Sequence, residues 1–286
     1  DGLRTIVNGD AGNDTVTVAS TGENDVFNGG AGNDKLILAG SIDADGFIFD
    51  GGADNDTIVL ASADYSADNA LEFRNIEVLD VRAGAATINA DNIDNDSAFE
   101  VLGAVNLTIV VDSGDTVDAS SLTFVPGDVA DILFTANTGD ETITGTALGD
   151  IIDGLAGDDI LSGGTGADSL FGNDDDDTLN GDAGDDILNG NMDNDIINGG
   201  ADADVIIGGQ GLDIIDGGLG TDTVSYSDVT AENSHVDGAD GVDGVTGMAI
   251  NLSSAAITAA TIAAATGGVP AGGAGAAGAS LAAGSG

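Results

Sequence analysis

Aspartate recurs at every ninth residue from Asp150 to Asp222: Asp150, Asp159, Asp168, Asp177, Asp186, Asp195, Asp204, Asp213 and Asp222. Each follows a glycine by five residues, from Gly145 to Gly217, and precedes an aliphatic side chain by two, from Ile152 to Val224. Carboxylates are hard oxygen donors. Glycine-rich turns add to them, because such a backbone turns tightly and leaves carbonyl oxygens pointing into one concave edge. About six to eight oxygens at roughly 2.3–2.6 Å suit Ca²⁺, whereas Mg²⁺ demands a smaller octahedron and keeps its waters. The spacing therefore implies a row of calcium sites. Its donors are the nine aspartates and the carbonyls of Gly154, Gly163, Gly166, Gly181, Gly184, Gly199, Gly208 and Gly211.

A ligand row with this period needs a scaffold with the same period. Gly163 to Phe171 is the cleanest unit: six residues for a turn, three for a short strand, with Leu170 aimed away from the ligands. Two units complete one coil, so successive units form opposite sides of a flattened roll and their aliphatic residues meet in a narrow core. A short unbroken period is the mark of a stacked parallel β-helix. The expected fold is all-β, a right-handed parallel β-roll or β-solenoid with calcium-binding turns, plus a less regular β region. At about 4.8 Å per strand the nine units stack to roughly 22 Å.

The charge balance agrees. Residues 145–225 hold 19 aspartates and no Glu, Lys or Arg. Such a segment repels itself and stays open unless cations neutralise it. Ion binding then becomes folding energy, since the open chain has no preformed site. Some turns are irregular. Asp175, Asp193 and Asp202 replace the usual glycine at position four, where Asp tolerates a left-handed backbone. Leu148, Thr146 and Leu155 make the first two turns the poorest.

These residues resemble the repeats-in-toxin (RTX) family of secreted bacterial proteins, whose consensus is Gly-Gly-x-Gly-x-Asp-x-aliphatic-x. Units starting at Gly29, Gly163, Gly208 and Gly217 match every fixed position. The resemblance implies type I export as an unfolded chain and folding in external calcium. Two further stretches, Ser113 to Thr123 and Phe73 to Asp80, are similar to segments of bacterial surface-layer proteins. That likeness implies an extracellular structural protein at the cell surface. It would self-associate into a lattice or coat, with cell-surface glycan or lipopolysaccharide as a further partner. The alternative is a non-catalytic repeat module of a larger exported enzyme, adhesin or cytolysin.

The chain has 286 residues, 51 acidic and 4 basic, a net charge of −47 and no cysteine. Nucleic acid is excluded as a partner, because phosphate contacts need Lys and Arg. An anionic membrane is disfavoured in the same way. Without disulfides, calcium is the expected source of stability outside the cell. No apolar run of membrane-spanning length is present, so no membrane insertion is expected. No signal peptide is visible from Asp1 onward, as fits type I export, a fragment or a processed form. With aromatics at 3% and no Trp, a solenoid seam suits the composition better than a globular core.

Five stretches are expected. Residues 1–60 form a looser calcium-binding roll. Its half-turn aspartates, Asp14, Asp25, Asp34, Asp45 and Asp56, follow one another at wider and less even steps than in the array. Glycine-rich turns at Gly9, Gly29 and Gly51 place ions at Asp14, Asp34 and Asp56. Residues 61–138 form strands without calcium turns, either plain solenoid coils or a small sandwich. Residues 139–225 are the regular array. Residues 226–254 hold closing strands and an acidic loop, Asp237 to Gly244, which is either one more calcium loop or merely solvated. Residues 255–286 are an Ala/Gly-rich linker or tail, with a short helix at 255–265. No catalytic role is expected. His235 is the single histidine, and no nucleophile elbow or phosphate loop occurs.

Overall fold

The computed structural model describes residues 5–18, 25–39, 47–60, 64–65, 72–81, 86–90, 100–102, 107–124, 132–225 and 249–251. In the array each short strand buries one aliphatic side chain, and the residue before it, often Ile or Val, faces outward. Leu161, Leu170, Leu179 and Leu188 are completely buried. Stacking them needs parallel pairing at a fixed offset. Ile152 pairs with Leu170 and Leu161 with Leu179, so one coil spans two repeat units, as expected. Every pairing among the described strands is parallel, and the whole is a β-solenoid.

Four sheets form its walls. The first holds Ile6–Asn8, Val26–Ala31, Ile48–Ala53 and Glu72–Arg74; the second runs from Thr15–Val18 to Thr123–Phe124. The third has nine strands, from Asp64–Tyr65 to Thr223–Ser225, and the fourth runs from Thr116–Asp118 to Ala249–Asn251. The first pair of sheets thus hands over to the second pair through coils that touch three walls at once. A single buried cluster, from Phe27 to Ile215, passes through the handover unbroken.

Coil length varies along this axis, and the core follows it. Val26 pairs with Ile48, a longer coil than any in the array, and strands there point two residues inward, as at Leu36 and Leu38. The wider bore is filled by aromatic rings. Phe27 and Phe49 stack with centroids 5.1 Å apart. Some handover coils are longer still, with Thr108 paired to Leu133 and Thr116 to Thr142.

The described strands within residues 61–138 therefore continue the solenoid, the first of the two expected arrangements. The strands expected in this stretch include Val78–Asp80, Ala86–Asn89, Glu100–Leu102, Leu107–Val110, Thr123–Phe124 and Ile132–Thr135. Asp64–Tyr65, Glu72–Arg74 and Thr116–Asp118 are additional strands, whose polar flanks hide their apolar pattern. Pairing also runs into the turns. Thr165 bridges Ala183 and Ala183 bridges Ala201, so strands exceed the three residues expected. After the array, Thr223–Ser225 pairs with Val205–Gln210, and Ala249–Asn251 with Ile214–Leu219. The loop at 91–96, Asp237 to Gly244, His235, the helix at 255–265, the tail and the half-turn at 44–46 lie outside the described residues. No helix among the described residues is long and apolar enough to cross a membrane.

Candidate metal centre

The array aspartates stand where their turns give way to the strands, and in most of them the two carboxylate oxygens do different things. The first accepts a backbone N–H from the equivalent aspartate one coil earlier. In the row that enters the third sheet, Asp150 N–H donates to Asp168 Oδ1 at 2.7 Å and Asp168 N–H to Asp186 Oδ1 at 2.8 Å, and Asp186 and Asp204 continue to Asp222. In the row that enters the fourth sheet, Asp159, Asp177 and Asp195 repeat this up to Asp213.

The second oxygen has no partner. Oδ2 of Asp159, Asp168, Asp177, Asp186, Asp195, Asp204 and Asp222 is buried without a hydrogen bond, and so is Oδ2 of Asp14, Asp34 and Asp56. Buried charged oxygens are normally satisfied, because leaving one bare is costly. A repeated bare oxygen in register marks a place for a cation.

Backbone oxygen surrounds that place. A methyl at Gly154 would lie 2.5 Å from Asp159 Oδ2 and 2.9 Å from the Gly172 carbonyl oxygen. The same overlap recurs at the first glycine of every array unit, so the position must stay bare for the carboxylate to fold back beside the carbonyls. Among the expected donors, the carbonyls of Gly163, Gly181, Gly199 and Gly208 face the first glycine one coil earlier. The Gly166 carbonyl faces Gly184, and the Asp193 carbonyl faces Gly211. Gly166 has φ +140°, a backbone closed to most side chains. Asp175, Asp193 and Asp202 hold left-handed φ of 80°, 65° and 81° at that position, as expected of them. No three acidic side chains converge among the described residues. Most sites offer a carboxylate beside a stacked backbone carbonyl, a hard oxygen set that fits Ca²⁺.

Electrostatics point the same way. Burial pushes Asp195 up to about 8, against the backbone hydrogen bond from Asp177 and with the added repulsion of Asp213. Burial likewise raises Asp159 and Asp177 to about 7. It raises Asp168, Asp186 and Asp204 to about 6. Asp213 and Asp56 shift upward for the same first cause.

Asp150 differs. Thr146 donates its N–H to Asp150 Oδ2 at 2.6 Å and its hydroxyl at 2.9 Å, so this carboxylate is satisfied inside its own turn. The irregular second position of the first unit is the physical reason. In the N-terminal roll, Asp14 N–H donates to Asp34 Oδ1 and Asp34 N–H to Asp56 Oδ1. On the opposite wall, Asp25 Oδ1 accepts the Thr5 N–H at 2.6 Å.

Two glutamates stand outside the aspartate pattern yet join the ladders. Glu77 Oε2 accepts the Asp56 N–H at 2.8 Å and ends the N-terminal ladder. Glu141 N–H donates to Asp159 Oδ1 at 2.7 Å and begins the ladder entering the fourth sheet. A consensus of aspartates alone hides both; the position one coil before Asp159 points to the second.

Fold and turns together define a parallel β-solenoid with acidic, oxygen-lined turns. A family model, the RTX calcium-binding nonapeptide repeat, matches the chain in four copies, at residues 17–43, 135–170, 162–197 and 189–224. The chain thus carries RTX repeats, and these imply calcium binding. Asp34 and all nine array aspartates lie within the matched residues, whereas Asp14 and Asp56 fall outside them. Comparison with curated proteins gives no match.

Proposed function

We propose that this chain is a non-catalytic, calcium-dependent structural protein of a bacterial cell surface, of the surface-layer type. Exported through a type I system, it folds when external calcium fills the turn rows, and folded chains assemble into a coat. Calcium ions occupy the turns of Asp14, Asp34, Asp56 and the array aspartates from Asp159 to Asp222, with glycine carbonyls completing each shell, whereas Asp150 is already satisfied by Thr146. The observation that carries this reading is the register of buried, unpartnered Oδ2 atoms on stacked turns. A fold that leaves so many charges bare is built to be completed from outside. Both broad walls of the array also show exposed aliphatic residues, with Ile187 45% and Ile196 50% accessible, and these give neighbouring subunits something to grip. Surface glycan or lipopolysaccharide would supply the anchor.

Sedimentation velocity on the purified chain tests it, first in EDTA and then in about 10 mM CaCl₂, above the range of weak extracellular calcium sites. An expanded monomer that becomes large, EDTA-reversible assemblies is expected. A monomer that compacts and stays single would keep the calcium roll and transfer the chain to the other reading, a repeat module of a larger exported protein. Assemblies that persist in excess EDTA would sink the proposal.

A further inference from the structure

The turn from Ala136 to Glu141 has the length of an array turn and stacks beneath the turn of Asp159, yet it lacks both signature residues. Its first position is Ala136 instead of glycine, and its sixth is Glu141 instead of aspartate. The register is unambiguous. Thr142 pairs with Ile160, and the Ile160 N–H donates to the Glu141 carbonyl, just as the Thr178 N–H donates to that of Asp159 one coil later.

The two replacements compensate each other. At every array unit a methyl on the first residue would overlap the aspartate carboxylate. Ala136 carries that methyl. The extra methylene of Glu141 lets its carboxylate clear the methyl and reach further along the turn. A methyl at Gly139 would lie 2.9 Å from Glu141 Oε1 and would overlap Ser113 Oγ. Oε1 accepts the Gly114 N–H at 2.8 Å. Glu141 is 1% exposed, and its Oε2 is buried with no partner. A structural cap alone would use one oxygen and would not bury the other bare. The contrast with Glu77 is direct. There a single residue separates Asn75, which pairs beside Gly51, from the glutamate, so the cradle is gone and only the cap remains.

We infer that Glu141 holds a divalent cation, calcium under extracellular conditions, one coil before the aspartate row begins, in a site built from Glu141 Oε2 with oxygens of the Ala136–Glu141 turn and of Ser113. The site ties the ion-bearing array to the preceding coil, since the Gly114 N–H is held by the same carboxylate. It also gives the segment from Ser113 to Thr123 a task, as the lower lip of the first site. This inference rests on the proposed calcium binding of the array.

The test counts ions on the full chain by equilibrium dialysis with radioactive calcium, with circular dichroism recorded on the same samples. Glu141→Gln is expected to bind one ion fewer than wild type with an unchanged strand signal. Glu141→Asp is expected to lose the same ion, because the shorter arm cannot clear Ala136. The double variant Ala136→Gly, Glu141→Asp rebuilds an array-type turn and is expected to restore the wild-type count, and it decides the matter even if Glu141→Gln does not fold. An unchanged count in Glu141→Asp, or a double variant that stays one ion short, overturns the site. A wild-type chain that binds no calcium at all would instead overturn the reading on which it rests.

Discussion

In the array a coil takes two nonapeptide units, both of its turns end in a ladder of carboxylates, and the core is one aliphatic side chain per strand. In the N-terminal roll the coils are longer, as the pairings of Ile6 with Val26 and of Val26 with Ile48 show. One described ladder runs there through Asp14, Asp34 and Asp56, and stacked Phe27 and Phe49 fill the bore. Width and ion load vary together. A narrow coil has too little apolar area to hold itself against 19 aspartates, so its cohesion must come from cations. A wide coil buries aromatic rings, each a large apolar payload, and depends less on its turns. Coil length therefore sets the division of labour between core and ion.

Chelation is the strongest way to break this comparison. In EDTA, amide hydrogen exchange is expected to lose protection throughout 142–224 while strands around Phe27 and Phe49 retain a measurable part of theirs. Equal loss in both would mean that the aromatic core gives no independence. Next, in saturating calcium, Phe49→Ala is expected to cost about 3–5 kcal/mol, the range for emptying a buried aromatic position. The loss should appear as earlier melting of the N-terminal coils alone.

Gly190→Ala probes the other partner in the division. Its methyl would overlap Asp195 Oδ2. The expected cost is about 1–3 kcal/mol, as for overpacking, together with one ion lost in dialysis.

The smallest effect is that of pH, and it separates the two rows of the array. The buried aspartates titrate above an ordinary carboxylate, which lies near 4. Between that value and about 8, the highest value in the array, the metal-free roll binds more protons than the open chain. The contribution of these groups to its stability is thus fullest at low pH and is lost as pH rises through that window. Calcium needs the ionised form, so its affinity runs the opposite way. On acidification, the row of Asp159, Asp177 and Asp195 should release calcium before the row of Asp168, Asp186 and Asp204. Calcium titrations at pH 6 and 8, followed by circular dichroism, would show it.

Much of this was legible in the residues. The inward aliphatic residues, the two-unit coil and the wider steps from Gly9 to Gly29 to Gly51 all follow from spacing alone. Three features did not. The hydrogen-bonded carboxylate ladder depends on which coil lies next, and a linear pattern carries no such neighbour. The satisfied carboxylate of Asp150 turns on Thr146, which donates to it from the start of the same turn. Glu77 and Glu141 occupy aspartate positions with a longer arm, and a consensus built on one residue type passes over them.

Hydrogen bonds between coils run along the axis of a solenoid, so a lengthwise pull loads every coil in series with the same force. A bridge of ions stiffens the coils that have one. If the proposed ions bind, the described strands between Glu77 and Glu141, held by backbone ladders and by a seam that includes Ile88, Val101 and Ile109, are expected to yield first under tension. In a coat of the proposed kind, rods of this build would stretch at a defined place before they tear, with a stiffness set by the calcium in the surrounding water.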